Sequence, residues 1–240
     1  MDHTIYQPDL PPGLAAGAAW SVLGPEAQHA ARVKRTEAGD SVVLTNGRGL
    51  IARARIESID RPRGEWRLVL RIDGVEAAPA VRPRVTVFAP APKGERLDQM
   101  IDGLSQVGAA AWRPLITERT VVEPRAGKLE RLQRIAEESL KQCGRAWLLE
   151  IGSPIGFAAA LRGAHERGDA LVVADAAGGA PPPLAAGAPV TLVVGPEGGL
   201  TDRESTLARE HGAAAIRLGP HILRIETAAV VGAAALLART

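Results

Sequence analysis

The sequence predicts an α/β protein in which a small β unit precedes a larger domain built on a mostly parallel sheet. Three observations carry this. Residues 41–72 read as β, with apolar and polar residues alternating at period two over 50–59, and no helix of useful length interrupts them. From residue 85 onward, short apolar runs alternate with segments of helical spacing, the pattern of strand–helix–strand units. Between the two regions, residues 73–84 are weakly apolar and broken by Pro79 and Pro83. The boundary is placed there, giving domains over 1–76 and 82–240.

In the first domain Ser41–Thr45 reads as a short strand and Asn46-Gly47 as a favoured two-residue hairpin turn. Leu50, Ala52, Ala54 and Ile56 then fall on one face, and Ile51, Arg53, Arg55 and Glu57 on the other. That is a half-buried strand with an arginine-bearing outer face. Residues 66–72 form another strand, so the unit is expected to be a small antiparallel sheet or barrel. In the second domain Val85–Ala89 is a strand. Residues 95–107 place Leu97, Met100, Ile101, Leu104 and Val107 at helical spacing before a stop at Gly108. A strand over 112–116 and a helix over 128–143, ended by Gly144, follow. Residues 170–174, 191–194 and 213–218 are further strands, and the Gly/Ala/Pro stretch 176–189 is a surface loop. The final helix, 227–238, is apolar nearly all round and is expected to be buried.

Composition narrows the classes. With 46% hydrophobic and 23% charged residues the chain is globular rather than disordered. It has no apolar run of the roughly 18 residues that a membrane helix needs. The N-terminus lacks a basic start with an apolar core, so no secretory signal is expected. Cys143 is the sole cysteine, which excludes an intrachain disulfide and a cysteine zinc site. The five histidines show no metal-ligand spacing. A cytoplasmic, metal-free protein is expected. Arginine outnumbers lysine 25 to 4, which either GC-rich coding or phosphate recognition would produce. Net charge is only +2, yet residues 48–71 hold seven arginines against three acids. A polyanion partner suits that distribution, and so does a solvated strand face.

Two segments carry the chemistry. Val194-Gly-Pro-Glu-Gly-Gly-Leu-Thr-Asp-Arg-Glu204 runs from an apolar strand through a three-glycine turn into a helix start, where Thr201 and Glu204 fit a capping box. Such a turn is either an ordinary tight connection or a place where backbone approaches a ligand beyond a strand's carboxyl end. Leu218-Gly-Pro-His-Ile-Leu-Arg-Ile-Glu-Thr-Ala-Ala229 repeats the arrangement, with Arg224 and Glu226 in an apolar context. Helix-cap electrostatics or a salt bridge accounts for those charges, as a functional role also would. No GxGxxG follows a strand, and no phosphate-binding GxxxxGK[ST] occurs.

Taken together the two segments resemble the paired C-terminal motifs of the SPOUT-class RNA methyltransferases, and most closely the RsmE family of 16S ribosomal RNA uridine-N3 methyltransferases. Further segments are similar to that family's: Ile5-Tyr-Gln-Pro8, the stretch from Gln28 to Asp40, Thr117-Glu-Arg-Thr120, and Gln142-Cys-Gly-Arg145. The resemblance implies a PUA-like β-barrel followed by an α/β trefoil-knot domain. It implies S-adenosylmethionine (SAM) in the knot loops, a homodimer with the active site at its interface, and 16S rRNA or the small ribosomal subunit as partner. Residue by residue, it carries cofactor binding to Ala174, Val194, Gly195, Pro196, Glu197, Gly198, Gly199, Leu218, Gly219, Ile222 and Leu223. RNA binding is expected at Arg35, Arg119 and Arg145, which lie in the family-like segments, and at Arg53 and Arg55 on the basic strand face.

Arg224 is expected to stabilise the developing uridine oxyanion, since a guanidinium cannot act as a base at neutral pH. His221 is a candidate proton acceptor, or a phosphate or base contact. Glu226 is expected to pair with Arg224, and Glu197 to bind backbone amides of its turn. The chain departs from the family pattern at Thr4, Gln106, His221 and Ile225. Those departures motivate two alternatives: a catalytically impaired RNA-binding protein, or a SPOUT methyltransferase with a different RNA target.

Overall fold

A computed structural model describes residues 3–121, 124, 126–185 and 187–238. The chain packs as two compact units, one comprising the residues up to Ala80 together with Leu140–Leu148, the other Val81–Ser139 together with the residues from Leu149 onward.

The first unit contains β1 (His3–Tyr6), β2 (Ala19–Leu23), α1 (Gly24–Arg32), β3 (Ser41–Thr45), β4 (Leu50–Asp60) and β5 (Arg67–Ala77). Its five strands follow the order β1-β3-β4-β5-β2. The pairs β3–β4, β4–β5 and β5–β2 are antiparallel, whereas β1 joins β3 in parallel. The all-antiparallel expectation fails at that edge. Register shifts in the β4–β5 pairing bend the sheet around its core of Ile5, Val22, Leu44, Ile56 and Leu70. The period-two pattern of β4 is realised: Ala52, Ala54 and Ile56 are buried, and Arg53, Arg55 and Glu57 are exposed.

The β3–β4 connection is not a two-residue turn. It spans residues 46–49, and the Asn46 Oδ1 accepts hydrogen bonds from the amides of Arg48 (2.8 Å) and Leu50 (3.1 Å). Gly49 sits at φ +91° with the Trp147 ring only 2.4 Å from where a Cβ would be. The segment 140–148 thus closes over the loop, with the Gly49 amide donating to the Ala146 carbonyl at 2.9 Å.

The second unit contains β6 (Val85–Ala89), α2 (Arg96–Val107), β7 (Ala111–Ile116), α3 (Ala126–Cys143), β8 (Glu150–Ile151) and β9 (Ile155–Gly156). It continues with α4 (Phe157–Glu166), β10 (Ala170–Gly179), β11 (Val190–Val194), α5 (Asp202–Glu210), β12 (Ala214–Ile216) and α6 (Ile225–Leu237). The sheet order is β12-β10-β11-β6-β7-β8, with β9 also beside β7, and every described pair is parallel. Buried on both faces, β11 is apolar except for Thr191, whose Oγ1 donates to the Asp169 Oδ2 at 2.7 Å. Gly108 stops α2 in a left-handed C-cap at φ +95°. No described helix is long and apolar enough to cross a membrane.

Two expectations are corrected here. β10 continues to Gly179, so the start of the 176–189 stretch is strand rather than loop. Helix α6 is not covered all round within this chain. It buries Ala228, Ala229, Gly232, Ala233 and Leu236 against α2, β6 and β11, but leaves Thr227 exposed and Val231 39% exposed. Its small residues serve close approach: at Gly232 a Cβ would lie 2.7 Å from Leu192.

Candidate functional site

Beyond the carboxyl ends of β11 and β12, beside the middle of β10, lies a cavity of about 560 Å³. All eleven residues expected to bind cofactor line it: Ala174 within β10, Val194 at the end of β11 with Gly195 to Gly199 after it, and Leu218, Gly219, Ile222 and Leu223 after β12. The two expected catalytic residues, His221 and Arg224, line it too. Two segments separated by the whole of α5 therefore meet at one site.

The wall after β11 is tightly ordered. The Gly199 amide donates to the Pro196 carbonyl at 2.8 Å, closing a turn that places Gly199 at φ +71°. Only glycine occupies that region without strain. Thr201 caps α5: its Oγ1 accepts from the Glu204 amide at 3.2 Å, while the Glu204 Oε2 accepts from the Thr201 amide at 2.9 Å. The second carboxylate oxygen, Oε1, accepts from the Glu118 amide at 2.9 Å. Glu204, only 5% exposed, thereby ties the 117–120 segment to the start of α5. The backbone-binding role expected of Glu197 belongs to Glu204. Glu197 is exposed and makes no hydrogen bond among the described residues.

The wall after β12 is open. His221, Ile222 and Arg224 are exposed, Ile222 to 90%. The expected Arg224–Glu226 pair is absent. Glu226 lies 3.9 Å from Arg96, and the Arg224 guanidinium has no partner among the described residues. The reason is local: Arg224 is the extended N-cap residue of α6 and turns outward, whereas Glu226 is in the helix's first turn and faces α2. Sequence reasoning missed Arg217, a further exposed cavity-lining cation without a side-chain partner among the described residues. Its signal was a charge directly after the last strand, one residue before Leu218.

The arginines expected to meet RNA are dispersed. Arg35, Arg53, Arg55 and Arg145 belong to the first unit. Arg53 and Arg55 are exposed, with Glu76 at 3.6 Å and Asp73 at 3.9 Å respectively. Arg35 is exposed in a left-handed conformation, φ 55°. Arg145 is half-buried, and loss of hydration pushes its guanidinium below its usual range. Arg119 lies in the second unit, where its Nη1 donates to the Gly198 carbonyl at 2.5 Å.

Residues 80–237 match the RNA methyltransferase domain and residues 22–65 the RNA methyltransferase PUA domain. The chain is 34% identical over 211 residues to a ribosomal RNA small subunit methyltransferase E from Synechocystis sp., covering 85% of this chain and 67% of the relative. It is 32% identical over 232 residues to the protein of that name from Mycobacterium bovis, covering 90% and 84%. Among solved structures, a Legionella pneumophila methyltransferase in complex with bound SAM superposes with a TM-score of 0.80. That protein is 30% identical, with 99% of this chain and 98% of that one covered.

Proposed function

Because the chain belongs to the RNA methyltransferase family that includes ribosomal RNA small subunit methyltransferase E, we propose that it methylates N3 of a uridine in 16S rRNA. It is a SAM-dependent rRNA methyltransferase, and the finer assignment of atom and nucleotide rests on the family resemblance. The observation that carries the reading is the single cavity formed by both C-terminal motifs, with a volume inside the ~300–1,000 Å³ range of small-molecule sites.

The cavity suits the cofactor chemically. Small residues at Gly195, Gly198, Gly199 and Gly219 let main chain approach a ligand, and Leu218, Leu223 and Ala174 supply apolar surface. These residues would hold the adenosine and methionine parts. When bound, SAM supplies a methyl group activated on a sulfonium.

The chain's own residues position and stabilise. Uridine N3 must lose its proton to become a good nucleophile, which leaves negative charge on the base. Arg224, free of a carboxylate partner, is available to bind that charge. His221, on the same wall, offers the side-chain type that exchanges a proton near neutral pH. Arg217 adds positive charge where the RNA backbone would arrive. In the first unit Arg35, Arg53, Arg55 and Arg145 are the proposed RNA contacts. A homodimer is proposed as well, the second copy covering Ile222 and the exposed flank of α6 at Val231. Cytoplasmic residence follows from the rRNA substrate.

Nucleoside mass spectrometry of 16S rRNA from a deletion strain tests the function. Loss of 3-methyluridine, restored by the gene, is expected. An unchanged nucleoside profile sinks the assignment.

A further inference from the structure

We propose that Arg119 is a positioning residue that holds the glycine-rich loop in its donor-binding shape. The inference rests on reading the cavity as the SAM site. Arg119 belongs to Thr117-Glu118-Arg119-Thr120, which leaves the carboxyl end of β7. That segment is rigid for local reasons. The Thr120 Oγ1 accepts from the Thr117 amide at 2.8 Å and lies 3.0 Å from the Thr117 Oγ1, and the Thr120 amide donates to the Thr117 carbonyl at 3.2 Å. It is fastened to α5 through the Glu118 amide and the buried carboxylate of Glu204. From this base the Arg119 side chain reaches Gly198 twice. Its Nη1 donates to the Gly198 carbonyl, and its Cδ lies 3.3 Å from where a Cβ would be.

The contact acts on one peptide group. The carbonyl of Gly198 and the amide of Gly199 belong to the same planar unit. Arg119 grips its oxygen and the Pro196 carbonyl receives its N–H, so the plane is fixed at both ends. Gly199, at φ +71°, has no side chain of its own to restrict it. Without Arg119 the Gly198 carbonyl loses its partner and the plane can rotate. The lining that Pro196 to Leu200 offers to the cavity then becomes one conformer among several, and a ligand must select it. Arg119 makes no ion pair among the described residues, so this contact is what places it.

Arg119→Ala and Arg119→Lys, made in the full chain, test the inference by three measurements. In ligand-free protein the Gly199 amide should exchange hydrogen faster in Arg119→Ala. SAM titration should show Kd and KM for SAM raised about tenfold, the scale of one charge-assisted hydrogen bond, while kcat at saturating SAM stays within about threefold. RNA affinity and its salt dependence should not change. Arg119→Lys, whose ammonium can still donate to a carbonyl, should recover part of the SAM affinity. Unchanged SAM affinity with weakened RNA binding overturns the inference and makes Arg119 an RNA contact. Parallel loss of SAM and RNA binding with a lowered melting temperature in both variants overturns it in favour of a folding role. A wild-type protein that fails to bind SAM overturns the cavity reading itself, a result the wild-type titration isolates from the variants.

Discussion

On the outer face of β4 and β5, arginines stand opposite carboxylates across the strands: Arg53 with Glu76, Arg55 with Asp73, Arg67 with Asp60 at 2.7 Å, and Arg71 with Glu57 at 2.8 Å. At the rim of the cavity, Arg217, His221 and Arg224 have no such partners among the described residues. Both regions are exposed and rich in basic groups, yet they differ in what they can do next. A paired arginine must leave its carboxylate to meet a phosphate, and its field is cancelled a few ångströms away. An unpaired one meets an incoming anion directly. Counting basic residues along the chain marks the first region, whereas pairing marks the second.

The largest expected effect tests the unpaired rim. Arg224→Ala should lower methyl transfer by roughly two to three orders of magnitude, the scale of losing one well-placed donor to developing negative charge. SAM affinity should remain close to wild type, because Arg224 is exposed on the open wall of the cavity. Titration of the variant with SAM, paired with single-turnover kinetics, separates the roles. Lost SAM binding with unchanged turnover per bound complex would make Arg224 a cofactor ligand.

Next is Arg217→Ala. It should weaken RNA binding about tenfold and reduce the slope of log affinity against log salt by about one phosphate contact. Filter binding across a salt series reads both. An unchanged slope would remove Arg217 from the RNA surface.

The contrast also shows which features a sequence displays. Buried parallel strands such as Val85–Ala89 and Val190–Val194 are legible because burial on both faces demands mostly apolar residues, here broken only by Thr86 and Thr191. The two loop motifs are legible because glycines must stand where backbone turns sharply. Helix α4 escaped notice although Phe157, Ala160, Leu161 and Ala164 form its buried stripe, since three of its first four residues are alanine or smaller in effect on a pattern of large apolar groups. The Asn46–Gly49 loop takes its form from Trp147, about a hundred residues away, which no local rule supplies. Pairing is equally non-local. Glu226 goes to Arg96 on α2 and Glu118 is held by Glu204 on α5, so the partners of Arg224 and the roles of Glu197 and Glu204 emerge only from the packed structure.

The paired face should respond weakly. Replacing Arg53 and Arg55 together by Ala is expected to weaken RNA binding by only about threefold and to leave SAM affinity unchanged. Each arginine gives up an exposed ion pair worth ~0–1 kcal/mol, so folding stability should scarcely move. A loss of RNA affinity as large as that of Arg217→Ala would erase the distinction between the two regions.

A third kind of basic group, half-buried and disfavoured as a cation, gives the smallest effect. The His3 ring packs 5.8 Å from the His29 ring, and its Nε2 is buried without a partner. Burial first, then the positive charges of Lys34, His29 and Lys141, push its pKa down to about 4. Lys141 is itself bonded to Glu26 at 2.7 Å, within the same unit. The sign follows from proton binding. Between pH 6.5 and 4 the unfolded chain takes up a proton at His3 that the folded chain refuses, so stability is full above about 6.5 and falls as pH drops toward 4. Below that point the group contributes no further slope. The ring is only half-buried and keeps part of its hydration, which limits the loss to the order of 1 kcal/mol. Denaturant unfolding at a series of pH values, for wild type and His3→Asn, checks it: the two curves should converge as pH falls from 6.5 to 4. Parallel curves across that window would show that His3 titrates as freely in the folded unit as in the unfolded chain.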